Sequence, residues 1–285
     1  MEIAGLVLAI AGLIFGFYAW YKPRQLESVV RDGDIENLLE EITSSKKMRV
    51  GFFNYPPLIT EPELSGEPAG GLYGRMTEIL GLKNGIEITW VPMNISETTA
   101  AVLERKVEFI ACVFQTAERS KYVDFTAFLH SVTVGGVSRA SEKQIRSQSD
   151  LMASDKKVAV CRGEIGHEFV ERIVAIPRKR LLVLDTDKIS RVMALVKSGQ
   201  ADIALSDSVS IKNYLDGHND DCPRLKSLFR ARPLAICPNG AMIPRGQSDL
   251  GEWLDSEYRK VREEPEIRNI EEALLNEYKG IISQL

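Results

Sequence analysis

The sequence predicts an α/β chain of two Rossmann-like lobes joined by a two-segment hinge and preceded by one transmembrane helix. Three observations carry this. From Met48 onward, short apolar strand-like runs alternate with helical spacings, the rhythm of a mostly parallel sheet with helices on both faces. The rhythm breaks at the charged segment Arg139 to Arg146 and then restarts, which marks a crossing into a second lobe. Ahead of both, Ile3 to Tyr21 is uncharged and apolar. At 285 residues the chain exceeds one average domain and accommodates a two-lobed body.

Taken in order, residues 1–22 read as a membrane anchor: the apolar stretch is long enough to cross a bilayer, and Tyr18, Trp20 and Tyr21 cluster at its end as an interfacial belt. A cleaved signal peptide fits less well, because the positive n-region and a small-x-small cleavage site are both missing. Gly12 and Gly16 permit close helix approach and raise self-association through the anchor. Residues 23–47 read as a linker carrying a short amphipathic helix, with Ile35, Leu38, Leu39 and Ile42 at helical spacing and Asp34 as the N-cap. Its three fates are packing on the first lobe, pairing with a copy of itself or lying on the membrane surface, and packing is favoured.

The first lobe takes residues 48–138 and 235–285. Its strands are Met48 to Phe53, Ile86 to Val91 and the apolar run from Phe109, with helices at Tyr73 to Leu82 and Thr98 to Glu104. Asn54-Tyr55-Pro56-Pro57 closes the first strand in an extended turn. Ser131 to Val137 forms the outward crossing. The second lobe, residues 139–234, has strands Lys157 to Cys161, Leu181 to Leu184 and Ala201 to Leu205, with helices Glu164 to Ile173, Lys188 to Val196 and Val209 to Leu215. Leu228 to Ile236 returns, and Gln247 to Arg262 and Glu264 to Tyr278 close the chain as helices. Two crossings make a hinge, and closure around a ligand is the motion such an architecture allows.

Composition excludes several function classes. The charge is mildly acidic, 40 acidic against 36 basic side chains, and no Lys/Arg run interleaves with aromatics, so no nucleic-acid partner is expected. Four cysteines are too few for a disulfide scaffold, and with three histidines they form no zinc spacing, so neither metal nor cofactor is expected. Cys112 and Cys161 read as buried small hydrophobes; a Cys222–Cys237 bridge stays open.

Two charges stand at strand ends, where open α/β sheets collect ligands. Arg119 follows the run Phe109-Ile-Ala-Cys-Val-Phe114, and its planar fork suits a carboxylate; the alternative is an arginine paired with Glu118 or Asp124 on a solvated helix end. Asp207 lies just past the strand Ala201 to Leu205; its alternative is an ordinary N-cap for the next helix. An Arg from one lobe and an Asp from the other clamp a zwitterion when the lobes shut.

Several motifs, in order, resemble the family 3 periplasmic solute-binding proteins of amino-acid ABC transporters, with a type II periplasmic-binding fold. They are Thr116-Ala117-Glu118-Arg119 with Tyr122-Val123-Asp124-Phe125; Arg49-Val50-Gly51 leading to Tyr55-Pro56-Pro57; Lys157-Val158-Ala159-Val160 with Gly163; and Ser198 to Asp202 leading to Ile203-Ala204-Leu205-Ser206-Asp207. The resemblance covers roughly Lys47 to the C-terminus. It implies that Arg119 holds a ligand α-carboxylate, Asp207 its α-ammonium, and Tyr55 stacks on the ligand, with an ABC permease as partner and a body outside the cytoplasmic membrane. Lys22, Arg24 and Arg31 after the anchor argue for the cytoplasmic side, so the side stays open. Cys112 and Phe114 stand where the family places hydroxyls, Glu164 and Ile165 follow Gly163 where it has threonine, Ile95 replaces an aromatic, and Gly74-Arg75-Met76 replaces Gly-Phe-Asp. The resulting expectation is a membrane-anchored module that captures or senses an amino acid or similar small polar metabolite, and not an enzyme. The alternatives are a degenerate interaction or signalling module, supported by Phe114 and Ile165, and an enzyme using Cys161, Glu164 and His167.

Overall fold

A computed structural model describes residues 37–285, apart from 63, 65–66, 172–175, 187, 219 and 221–223. The expected anchor, its glycine pair, Asp34 and Cys222 lie outside the described residues. Among the described residues no helix is long and apolar enough to cross a membrane.

Helix α1 (Leu38–Ser45) begins at Asn37, whose side chain accepts the N–H groups of Leu39 and Glu40 and so supplies the cap. Leu38 and Ile42 are buried in the main core, and the Leu38 N–H donates to Gln247 Oε1 at 3.0 Å. From Leu38 on, the expected linker helix is therefore part of the folded body.

Strand β1 (Lys47–Phe52), helix α2 (Gly71–Asn84), β2 (Glu87–Pro92), α3 (Thr98–Leu103) and β3 (Phe109–Phe114) form the first half of the fold, with β1 pairing in parallel with both β2 and β3. Every residue of β3 is buried, because helices cover both faces of the sheet there. Strand β4 (Val123–Arg139) then runs for 17 residues. Sequence reading marks only Ser131 to Val137 as extended, because Asp124, Thr126 and Phe128 are half-buried and present no apolar run.

The second half comprises α4 (Gln148–Ala153), β5 (Val158–Cys161), α5 (Ile165–Phe169), β6 (Leu181–Leu184), α6 (Ile189–Ser198), β7 (Ile203–Asp207), α7 (Ser208–Gly217) and β8 (Leu225–Leu228). Strands β6 and β7 flank β5 in parallel. Strand β9 (Ala235–Pro244) returns the chain, helices α8 (Ser248–Arg262) and α9 (Pro265–Glu277) close the first half, and β10 (Ile282–Gln284) adds an edge to β4. The short elements α4, β8 and β10 have too few residues to declare a period.

Among the described residues the strands make one ten-stranded sheet in the order β2-β1-β3-β9-β4-β7-β5-β6, with β8 and β10 paired to β4. It is mixed rather than mostly parallel: β3/β9, β9/β4 and β4/β7 are antiparallel. The cause is connectivity. The chain crosses between halves in β4 and returns in β9, so adjacent crossing strands run in opposite senses.

Buried apolar clusters fill both faces of each half. Inside the first half lies a polar network: His130 is fully buried, its Nε2 2.7 Å from Glu271 Oε1 and its Nδ1 3.2 Å from the Tyr73 hydroxyl, while Arg262 Nε donates to Glu271 at 2.9 Å. Burial alone would raise the pKa of Glu271, but the hydrogen bonds from His130 and Arg262 and their charges outweigh it and hold the carboxyl below its ordinary value. A depressed folded-state pKa adds stability that is present above the unfolded value of about 4.3 and is lost as the pH falls through the folded one. Glu271→Gln is expected to lower stability at neutral pH by about 2–3 kcal/mol and to flatten the acid limb of the stability curve. Urea unfolding of both proteins at a series of pH values checks this, and parallel curves would remove Glu271 from the acid transition.

Candidate functional site

The parallel strands of both halves end toward a common crevice, and the loops and helices that follow them build its walls. After β1 the chain turns at Tyr55, which exchanges two backbone hydrogen bonds with Ile59: Tyr55 N–H to Ile59 O at 2.8 Å and Ile59 N–H to Tyr55 O at 3.0 Å. The turn aims the phenol across the crevice, where it donates to Asp207 Oδ1 at 2.8 Å. Asp207 is the last residue of β7, not one past its end, and the same Oδ1 accepts the Ser210 N–H at 2.8 Å, capping α7. The N-cap alternative for Asp207 thus holds together with a place in the crevice.

Burial, and then the neighbouring Asp207 charge, push the Tyr55 phenol well above its ordinary pKa, so it is a neutral donor. Ser206 Oγ lies 3.4 Å from both Asp207 Oδ2 and Glu164 Oε2, which ties the two carboxylates together. Glu164 and Ile165 reach this position because α5 sits hard against β7. A Cβ on Gly166 would stand 2.3 Å from the Leu205 carbonyl oxygen, so only glycine permits the approach.

Between the halves lies a cavity of about 300 Å³. Its first wall carries Phe53, Asn54, Tyr55, Glu61, Met93, Ile95 and Phe114; its second carries Glu164, Ile165, Ile189, Asp207, Ser210, Asn213 and Tyr214. Five of the eight residues singled out from sequence therefore line it: Tyr55, Phe114, Glu164, Ile165 and Asp207. Tyr55 and Phe114 meet edge to face with ring centres 5.8 Å apart.

The other three do not line it. Cys112 is buried behind the wall, its Sγ 3.5 Å from Asn239 Oδ1, and burial pushes its thiol far above the ordinary value. Gly163 sits at a turn with φ of +74°, its N–H donating to His167 Nδ1 at 3.3 Å. Arg119, only 7% exposed, donates from Nη1 to the Phe114 carbonyl at 3.0 Å and from Nη2 to the Gly163 carbonyl at 3.4 Å. Burial lowers its pKa, opposed by the charges of Glu168 and Glu164. Among the described residues no carboxylate forms an ion pair with it: Glu118 pairs with Lys121 and Asp124 with Arg245, so the solvated-pair alternative is corrected. The expected jaw of Arg119 and Asp207 around one cavity is also corrected in its geometry, since only Asp207 faces the cavity. The guanidinium is drawn aside by two backbone carbonyls that its fork can reach.

The proposed catalytic trio does not converge on the cavity. Cys161 belongs to an apolar cluster with Val192 and Met193, and His167 holds the Gly163 turn. Cys237 carries a free thiol whose pKa burial pushes up to about 11.

Two further hydrogen bonds join the halves. Asn213 Nδ2 donates to the Pro56 carbonyl at 2.7 Å, and the Tyr278 hydroxyl donates to Asn213 Oδ1 at 2.6 Å. Ser210, Asn213 and Tyr214 were not singled out from sequence, although their spacing after Asp207 places them on one face of the following helix. Glu61 stands in an aperiodic Pro/Gly-rich loop that offers no such signal.

Comparison with known proteins fits this geometry. The sequence profile of the bacterial extracellular solute-binding proteins, family 3, matches residues 48–277. No curated protein sequence matches the chain. Among solved structures, a histidine kinase sensor domain with similarity to periplasmic binding proteins superposes with a TM-score of 0.67 at 20% identity, covering 80% of this chain and 96% of that one. The P235GK mutant of ArgBP from T. maritima gives 0.65 at 22% identity, covering 84% and 99%. The solute receptor for L-cysteine of Neisseria gonorrhoeae gives 0.66 at 19% identity, covering 85% and 95%. At these identities the likeness is one of fold.

The Tyr55–Asp207 hydrogen bond is a buried contact between the halves. Tyr55→Phe is expected to cost about 1–2 kcal/mol in urea unfolding with little change in slope. Unchanged stability would mean that the phenol does not engage the carboxylate.

Proposed function

Because the chain belongs to the family 3 bacterial extracellular solute-binding proteins, we propose that its interlobe cleft captures or senses a small polar metabolite bearing an ammonium group, an amino acid or a close relative. The observation that carries this reading is Asp207: a buried carboxylate, held by neutral donors from both halves, facing a cavity of a size that suits a small molecule. An ammonium group is a stronger partner for it than the Tyr55 phenol, since charge-assisted hydrogen bonds outweigh neutral ones.

Arg119 enters this reading through motion. Its contact with the Gly163 carbonyl crosses between halves, so parting the lobes, residues 48–138 with 235–285 against 139–234, frees Nη2 for a ligand carboxylate. Strands β4 and β9 supply the two hinge segments. The apolar stretch Ile3 to Tyr21 would tether the body to a membrane, on its outer side by family kinship, with an ABC permease as partner if the role is transport. Binding rather than catalysis is the expected activity.

A second reading, a signalling or interaction module, is favoured by the same Tyr55–Asp207 bond, because the protein's own phenol already holds the cleft shut. The two separate on ligand response. A bound solute at a hundred times its Kd stabilises the native state by about 2.7 kcal/mol, a rise in melting temperature of roughly 5–10 °C for a body of this size. The full chain is expected to show such a rise with at least one amino acid or related zwitterion. Asp207→Asn, which retains the cap, should remove most of it, and Arg119→Ala should weaken it. If no such compound moves the melt, the capture reading fails and the module reading takes its place.

A further inference from the structure

The charge inside the cleft specifies more than an ammonium group. Three carboxylates line it, those of Glu61, Glu164 and Asp207, and among the described residues no lysine, arginine or histidine does. The Arg119 guanidinium is not on the lining, its donors being given to the Phe114 and Gly163 carbonyls, and Arg162 of an adjoining cavity is paired with Asp185. With three carboxylates and, among the described residues, no basic side chain on its lining, the cleft wall is acidic, and a low-dielectric enclosure concentrates such charge.

The negative groups fall at two depths. Glu164 and Asp207 share Ser206 and sit on the second wall beside the buried end of the cleft. Glu61 is exposed and lies on the opposite wall, and it also lines an adjoining cavity of about 290 Å³ that includes Glu97. The rings of Phe53, Tyr55, Phe114 and Tyr214 line the same cavity. Aromatic faces attract cations and repel carboxylates, and they cover an alkyl chain. Carboxylates on both walls with ring faces in the same cavity suit a molecule that carries more than one positive group.

We propose that the cleft selects an organic dication, a diamine or a dibasic amino acid, over neutral and acidic amino acids. The inference rests on the solute-capture reading and adds the charge of the solute, with Glu61 and Glu164 as the residues that set it. Neutral amino acids satisfy Asp207 alone, and a glutamate side chain meets Glu61 or Glu164 with like charge.

Isothermal titration of the full 285-residue chain with 1,4-diaminobutane, arginine, glutamine and glutamate tests it. At least one of the first two is expected to bind tenfold or more tightly than glutamine, with glutamate weakest. Glu61→Gln, at an exposed position that does not bear on folding, and Glu164→Gln should each reduce the dication's affinity by about tenfold. Binding of diaminobutane without arginine identifies a carboxylate-free amine; the reverse identifies a dibasic amino acid and brings the freed Arg119 into the complex. Glutamine or glutamate binding as tightly as the dications, or dication affinity indifferent to both variants, overturns the inference while leaving solute capture intact. Absence of heat from all four, together with a melt unmoved by any amino acid, overturns capture as well.

Discussion

Two antiparallel strands, β4 and β9, run through the boundary between halves, and the pairing that places Phe114 and Asp207 runs through them. Phe114 at the end of β3 is opposite Asn239 of β9, while Asp207 at the end of β7 is opposite Val134 of β4. In the same ladder Val134 is opposite Ala235. One hydrogen-bonded pair of strands therefore sets both an apolar floor residue and the principal acid. Slipping the register by one residue would turn all of these side chains to the other face of the sheet. The crossing is consequently a constraint on position, and β-ladder hydrogen bonds hold the ends of β3 and β7 in register.

Within that frame the electrostatics are unbalanced. Among the described residues Arg119 hydrogen-bonds to carbonyls, with the Glu168 and Glu164 charges acting from further off, and Asp207 has hydroxyl and amide donors and no ion pair. Buried charges without counter-charges are costly, and direct pairing of the two would be the cheapest remedy. The fold denies it by placing one behind the wall and the other on it. Compare the first half's interior, where Glu271 has both His130 and Arg262 and the charge is neutralised locally. The contrast separates two uses of a buried carboxylate: Glu271 closes a structural network, whereas Asp207 retains capacity on Oδ2, whose protein contact is a long one to Ser206.

Much of this was legible in the sequence, and the failures have physical causes. Strands such as Phe109 to Phe114 are apolar on both faces and announce themselves; Tyr55 and Asp207 stand at strand ends, where topology sends side chains into the crevice. The crossing strand β4 was half hidden, because its first residues are mostly half-buried and mix polar with apolar side chains. The antiparallel centre of the sheet was invisible, since strand direction depends on how distant segments return and not on local pattern. Arg119 follows β3 in a short helical turn, and its side-chain direction is decided by the carbonyls of Phe114 and Gly163, backbone groups that no sequence motif displays. In the linker, Leu38 and Ile42 read as an amphipathic face that the fold buries, and Asn37 caps the helix that carries them.

The two walls also divide the chemistry between them. The first half contributes chiefly surface without charge, through Phe53, Tyr55, Met93, Ile95 and Phe114, with Glu61 at the mouth; the second contributes Glu164, Asp207, Ser210 and Asn213. Phe114 belongs to the same division, since it presents a ring face on the first wall and no side-chain donor. A solute closing these walls together would meet acid on one side and aromatic surface on the other. Its orientation would then be fixed by where its polar groups sit along its length, and a guest without a positive group would leave the buried Asp207 carboxylate to its phenol and amide donors. Specificity in such a cleft comes from the group that the wrong guest leaves unsatisfied, because stranding a buried carboxylate costs more than one extra contact with the right guest gains.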